Sequence, residues 1–208
     1  MNIKTFYRRN LPHITLNHKA YFITFWLHRS IPTDVMKKLK SNYDAECRLL
    51  LNIKEVNFRK KKIYDLQKKY FGIFDGYLDK SESNGKYLND MRIANMVSES
   101  IKYRDKKEYE LLAYSILPNH VHLVIYVERF VKPLHKILQS LKRHTARQGN
   151  IILNRTGNPF WHSESYDHYV RDYWELSRIL DYTINDPVKA GLVNKAEDWK
   201  WSYCKYLC

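Results

Sequence analysis

The runs YELLAYSIL (109–117) and HVHLVIYVE (120–128) meet at the three-residue break PNH (118–120). Both are dense in β-branched and aromatic residues, and a break that short admits only a tight antiparallel connection. A strand hairpin is therefore the fixed point from which the remaining elements are placed. AYFITFWLH (20–28) is a further buried strand, and ESYDHYVR (164–171) is another. DMRIANMVSESIKYR (90–104) puts Ile93, Met96, Val97, Ser100 and Ile101 on one face at helical spacing. VKPLHKILQSLKRHTARQG (131–149) turns Leu134, Ile137, Leu138 and Leu141 inward and Lys136, Lys142, Arg143 and Arg147 outward. DYWELSRILDYTIN (172–185) is a last helix, with Asp172 and Glu175 spaced as a capping box.

The resulting order, β-α-β-β-α-β-α, predicts an α+β protein. It has a ferredoxin-like split βαβ antiparallel sheet and one extra C-terminal helix. Between the first strand and the first core helix lies an insertion at about 31–89. It opens at IPTDVMKKLKSN, where Pro32 precedes a helix that Thr33 or Asp34 can cap. Helical composition persists through residue 71, and GIFDGYLDKSESNGKYLND (72–90) reads as loop. We read residues 1–208 as a single domain carrying this basic helical insertion.

Thirty-six Lys and Arg against 22 Asp and Glu give a net charge of +14 over 208 residues. A field of that sign attracts polyanions, nucleic acid first. The basic residues of the insertion, Lys60, Lys61 and Lys62 among them, can track phosphates or simply form a solvated face. The 17 Tyr and 5 Trp offer ring faces suited to unstacked bases, although most of these rings must build the core. Three cysteines without framework spacing suit a reducing, cytoplasmic setting. Cys204 and Cys208 amount to half a metal site at most. The N-terminal stretch lacks a signal-peptide core, and no run approaches the roughly 18 apolar residues that span a bilayer. No membrane partner is expected.

His120 and His122 are two apart on a strand, so both project from the same face while Val121 goes to the other. Two imidazoles so placed can ligate one divalent cation and leave positions for a third ligand and for substrate oxygens. On the residues alone, a structural pair is equally open.

LPNHVHLVI resembles the HUH motif of single-tyrosine transposases, in which two histidines flank a bulky apolar residue. FWHSESYDHYVRDYWELSRILDYTINDPVKAGLV is similar to the C-terminal segment of the REP-associated tyrosine transposases, and the early LPH and YFITF fit as well. The resemblance covers Leu11 to His28 and about Ile93 to Tyr203; the basic insertion looks like one found in a subset of that family. It implies a bacterial, nucleoid-associated enzyme of DNA transposition. Such an enzyme is an endonuclease and strand transferase on single-stranded DNA, acting beside a REP-like hairpin. A tyrosine on the last helix forms a 5′-phosphotyrosine link, and Mg²⁺ or Mn²⁺ clamps the scissile phosphate. A homodimer is compatible with it.

Among Tyr166, Tyr169, Tyr173, Tyr182 and Tyr203, the resemblance places the nucleophile at Tyr182. Asp186 follows four residues on, a spacing that shares a helix face, and would complete a metal site with His120 and His122. Relatives typically carry Asn or Gln there, so aspartate is a departure that strengthens the hold on a hard cation. Asp186 also precedes Pro187, a position disfavoured in helix, and can instead cap a new turn, with Asn185 as the fallback ligand. His168 is read as a structural or DNA-facing group, while His162 and Glu164, in a loop after Trp161, could approach the site without anything in the sequence fixing them there. The metal, Lys189, Arg178 or water could assist attack by Tyr182. Two other functions remain open: a hairpin DNA-binding protein without catalysis, and a hydrolytic metallonuclease in which Tyr182 is structural.

Overall fold

The computed structural model describes residues 16–81 and 85–206, together with the backbone of strands β1 (Phe6–Arg8) and β2 (Pro12–Ile14). Leu11, residues 82–84 and Cys208, touched on above, lie outside the described residues. The chain forms two compact units, one of Met1–His28 with Lys86–Cys208 and one of Arg29–Gly85.

The first unit contains a five-stranded antiparallel sheet built from β3 (Lys19–Trp26), β4 (Glu110–Ile116), β5 (His120–Val127), β6 (Tyr166–Tyr169) and β7 (Ser202–Cys204), in the order β6-β3-β5-β4-β7. The expected hairpin is β4–β5, and β5 is the central strand. Strand β3 lies against β5 with Trp26 opposite His120 and Thr24 opposite His122. One sheet face carries Tyr21, Ile23 and Phe25 from β3 and Val121, Leu123 and Ile125 from β5, all fully buried. Strand β4 needs a bulge to serve the same face. Its register slips between Leu111 and Ala113, so odd-numbered Leu111 and even-numbered Tyr114 and Ile116 all reach one core.

Two helices, α3 (Met91–Lys102) and α4 (Leu134–Ile152), cover that face. Ile93, Val97 and Ile101 from α3 join Leu134, Ile137, Leu138 and Leu141 from α4 in the cluster, as their spacing predicts. The opposite face, with Phe22, Thr24, Trp26, His120 and His122, receives α5 (Tyr173–Lys189), which packs on β4 and β5.

Both ends of α5 are tied. Asp172 accepts from Glu175 N at 2.8 Å, the first half of the expected capping box. The second half is altered: the buried Glu175 accepts from Arg171 N at 2.8 Å and faces His168 Nε2 at 3.3 Å. At the other end the helix does not stop before Pro187 but runs one turn further. Leu192 N donates to Pro187 O at 2.9 Å, Gly191 N donates to Val188 O at 2.9 Å, and Gly191 has φ +70°. These bonds are a Schellman ending, so PVKAGLV encodes how the helix stops.

Strand β7 went unread in the sequence because three residues carry no periodicity. It pairs Tyr203 with Tyr114 and Ser202 with Ser115.

The second unit is a helical hairpin, α1 (Thr33–Leu50) and α2 (Val56–Asp79). Nested contacts set its antiparallel sense: Ser81 Oγ donates to Ser30 O at 2.6 Å, Tyr70 to Glu46 at 2.7 Å, and Arg59 to Ile53 O at 2.9 Å. The continuous helical composition thus hides a turn at 51–55, after which Glu55 caps α2 through Asn57 N and Phe58 N. Two expectations fail here. Pro32, with no side-chain cap, occupies the N-cap of α1 in place of Thr33 or Asp34. The loop read from residue 72 begins only after Asp79, because Phe71, Phe74 and Leu78 at helical spacing outweigh Gly72 and Gly76. The unit also ends before residue 89: Leu88 is buried in the first unit's core, its N–H bonded to Pro118 O at 3.1 Å.

An alanine at position 191 meets no neighbouring atom, so Gly191→Ala isolates the left-handed backbone cost. Urea denaturation is expected to show a loss of about 1–2 kcal/mol.

Candidate metal centre and nucleophile

His120 and His122 project side by side from β5, with ring centroids 4.8 Å apart. Each has its Nδ1 occupied. His120 Nδ1 is 2.7 Å from Asn119 Oδ1, and His122 Nδ1 is 2.8 Å from Thr24 Oγ1 across the sheet. The acceptor oxygen of Asn119 keeps a proton on His120 Nδ1, so Nε2 is the atom that would give up its proton when a cation binds. Such outer partners fix ring orientation and tautomer in metal-binding histidines. Phe22 stacks on the His122 ring at 5.3 Å.

Both Nε2 atoms converge on one oxygen of Asp186. The distances to Oδ2 are 3.1 Å from His122 and 3.6 Å from His120, and all three side chains are buried. Adjacent ligands of an octahedral ion held at about 2.1 Å lie about 3 Å from one another, so the spacing suits a small divalent cation. The donor set, two imidazoles and a carboxylate, suits one as well. Burial pushes the Asp186 carboxyl up. The imidazoles of His122 and His120 override it and hold the group well below the usual carboxylate range.

The continuation of α5 through Pro187 brings Asp186 here. With the helix unbroken, Tyr182, Asp186 and Lys189 share a face. Lys189 Nζ lies 3.3 Å from the Tyr182 hydroxyl and 3.3 Å from Asp186 Oδ1. The Tyr182 ring meets His122 edge-on at 5.6 Å and Phe22 at 6.1 Å. The phenol oxygen thus sits beside a cation and next to the imidazole–carboxylate cluster. Asn185, the fallback ligand, points elsewhere: its Nδ2 donates to Asp181 O at 3.0 Å on its own helix.

The other tyrosines are placed differently. Tyr203 stacks on Tyr114 at 5.9 Å, on the opposite sheet face, and Tyr169 pairs with Tyr21 on that face. Tyr173 is 74% exposed at the start of α5. Tyr166 shares the histidine face, 6.3 Å from Phe22. His168 faces Glu175 and braces the first turn of α5, and His162 stacks on Trp26 at 4.9 Å.

The basic residues divide. Lys136, Arg143 and Arg147 are exposed on α4, as are Lys60, Lys61 and Lys62 on α2. Lys142 is half-buried instead, its Nζ donating to the carbonyls of His162 at 2.6 Å and Glu164 at 3.0 Å. It staples α4 to the 162–164 segment. A groove of about 600 Å³ runs there, lined by Lys136, Arg143, His162 and Glu164 among others, and by none of His120, His122, Tyr182 or Asp186.

The sequence reading missed Thr24, Phe22 and the double role of Lys189. Thr24 and Phe22 could be found only with the β3–β5 register in hand. Asn119, adjacent to His120 in PNH, was visible but had no assigned task.

No family model matches the chain. It is similar to a Haemophilus influenzae protein provisionally named a REP-associated tyrosine transposase, 26% identical over 127 residues, which are 56% of this chain and 68% of that protein. It is also similar to the REP-associated tyrosine transposase of Escherichia coli K12, 24% identical over 105 residues, 49% of this chain and 58% of the relative. Among solved structures, that of a REP-associated tyrosine transposase bound to a REP hairpin matches with TM-score 0.54 and 14% identity, over 94% of this chain and 80% of that one. That match shows a shared fold. The resemblance read from the motifs is borne out by the names of both curated relatives. No described helix is long and apolar enough to cross a membrane.

Two outcomes follow from the cluster. Calorimetric titration with Mn²⁺ is expected to show one site, lost in His122→Ala and weakening on acidification, because ligating imidazoles must be neutral. In metal-free protein, folding lowers the Asp186 pKa below its unfolded value. Its contribution to stability is then present above about pH 3.9 and lost as pH falls. The urea-measured gap between wild type and Asp186→Asn should close on acidification; a gap independent of pH would contradict the ion cluster.

Proposed function

We propose that this protein is a metal-dependent endonuclease and strand transferase on single-stranded DNA, acting beside a hairpin through a 5′-phosphotyrosine intermediate. The observation that carries the reading is the contact of Lys189 with both Tyr182 and Asp186, which joins the nucleophile to the His120–His122 cluster. The strand order β6-β3-β5-β4 supports a ferredoxin-like split βαβ sheet of the HUH type. We read Arg29–Gly85 as a basic insertion within one transposase domain, and the protein as cytoplasmic and nucleoid-associated. Its partner would be a REP-like hairpin, as in the solved neighbour.

Tyr182 Oη attacks the scissile phosphorus and forms a P–O bond. The bond to the 3′ oxygen breaks, and that oxygen leaves as a 3′-OH, taking a proton from water. The 5′ side stays on Tyr182 until a second 3′-OH reverses the step, so one phosphodiester is conserved throughout. Lys189 stabilises negative charge on the phenol oxygen during attack and departure; the phenol proton passes to solvent. His120, His122 and Asp186 would hold Mg²⁺ or Mn²⁺, of which Mn²⁺ better accepts two imidazoles. The bound ion would polarise the phosphate oxygens. Exposed Lys136, Arg143, Arg147 and Lys60 to Lys62 would grip phosphates, so affinity should fall steeply with salt.

The test is a pool of hairpin-bearing single strands with randomised stems and flanks, incubated with Mn²⁺ and resolved on a denaturing gel. A covalent adduct is expected with wild type and none with Tyr182→Phe. Lys189→Met should slow adduct formation about 10- to 100-fold, the scale of removing one positioned charge at a reacting oxygen. Cleavage that survives Tyr182→Phe would show a hydrolytic metallonuclease instead. Binding without cleavage would show a hairpin-binding protein.

A further inference from the structure

The N-terminal half of α5 carries side chains that the cluster at its other end does not use. Tyr173 and Trp174 are 74% and 72% exposed, and their rings touch only edge-on, at 5.8 Å. Neither joins the core. Two large rings left in water at the start of a helix cost solvation unless they meet a partner. Four residues after Trp174 comes Arg178, which is exposed and makes no hydrogen bond or ion pair among the described residues. Four further on comes Tyr182.

Residues four apart on a helix are neighbours along one ridge. Trp174, Arg178 and Tyr182 therefore form a single row: an aromatic face, an uncommitted guanidinium and the proposed nucleophile. Eight residues at about 1.5 Å each place the ring about 12 Å from Tyr182 along the axis. Four residues beyond Tyr182 the same ridge reaches the buried Asp186, so the row runs from solvent at Trp174 and Arg178 into the cluster.

We propose that this ridge is a subsite for an unpaired nucleobase of the DNA strand. Trp174 stacks on the base, Arg178 takes the phosphate beside it, and together they lead the strand toward Tyr182. The inference rests on the reading of Tyr182 as nucleophile only for what lies at the end of the row. The chemistry of the occupant comes from the ridge itself: a base offers a π-face of any sequence to Trp174, and its backbone supplies the anion that Arg178 lacks. The chain's charge of +14 favours the same partner. Trp174→Phe would keep most of the stacking, and Arg178→Lys would keep the charge.

The experiment measures fluorescence anisotropy of a labelled oligothymidylate and of an abasic strand of equal length. Wild type should prefer the oligothymidylate. Trp174→Ala should lose about tenfold in affinity for it and none for the abasic strand, with Trp174→Phe restoring most of the loss. Arg178→Gln should weaken both strands alike and flatten the salt dependence by about one ion. Trp174→Ala retaining the wild-type preference would overturn the proposal. So would a change in sedimentation with unchanged DNA affinity, which would make the rings a self-association face. The adduct assay is separate. If adducts form and Trp174→Ala binds as wild type, the subsite alone fails. If Trp174→Ala loses its preference and wild type forms no adduct, the transferase reading fails and the subsite stands.

Discussion

A carboxylate buried between two imidazoles organises this protein's candidate site. Burying Asp186 is unfavourable in isolation, because a charged group loses its water. His120 and His122 on one oxygen and Lys189 on the other offset that loss. The arrangement exists only because α5 remains helical past Pro187. A proline there removes one N–H and strains the turn before it. The Schellman bonds to Gly191 and Leu192 on one side and the bonds of Glu175 on the other hold the helix to its full length. Were the helix to end at Asn185, Asp186 would leave the face it shares with Tyr182.

The sheet separates structural and chemical duties by face. On one, Ile, Leu, Val and aromatic side chains of β3, β4 and β5 meet α3 and α4 in a dense apolar core. On the other, Thr24, His120 and His122 are polar and buried, Thr24 bonded to His122 and His120 to Asn119, with α5 as their cover. The alternation of strand side chains makes this possible in one segment: Val121 and Leu123 belong to the core while the histidines on either side of Val121 belong to the site. A rigid strand behind the imidazoles positions them better than a loop would.

How much of this was legible depended on whether a feature is local. The β4–β5 hairpin, the inward faces of α3 and α4, and the histidine pair all follow from periods of 2.0 and 3.6 and were read correctly. The hairpin's bulge was not, since nothing in YELLAYSIL marks which residue is extra. Strand β7 has three residues and no pattern. Asp186 shows the limit most clearly. Local rules about the residue before proline argued for a cap, while packing against β4 and β5 kept the helix whole. The partnership of Thr24 with His122 spans 98 residues and required the register. Lys142 looked like an outward cation by helical phase, yet its long stem lets the ammonium reach the 162–164 carbonyls.

The central claim is that His120, His122 and Asp186 hold one divalent cation beside Tyr182. The most direct test is the anomalous scattering of crystals grown with Mn²⁺. The account predicts a single strong peak about 2.0–2.3 Å from both Nε2 atoms and from Asp186. A peak bound only elsewhere, or none at this cluster at saturating Mn²⁺, would contradict it.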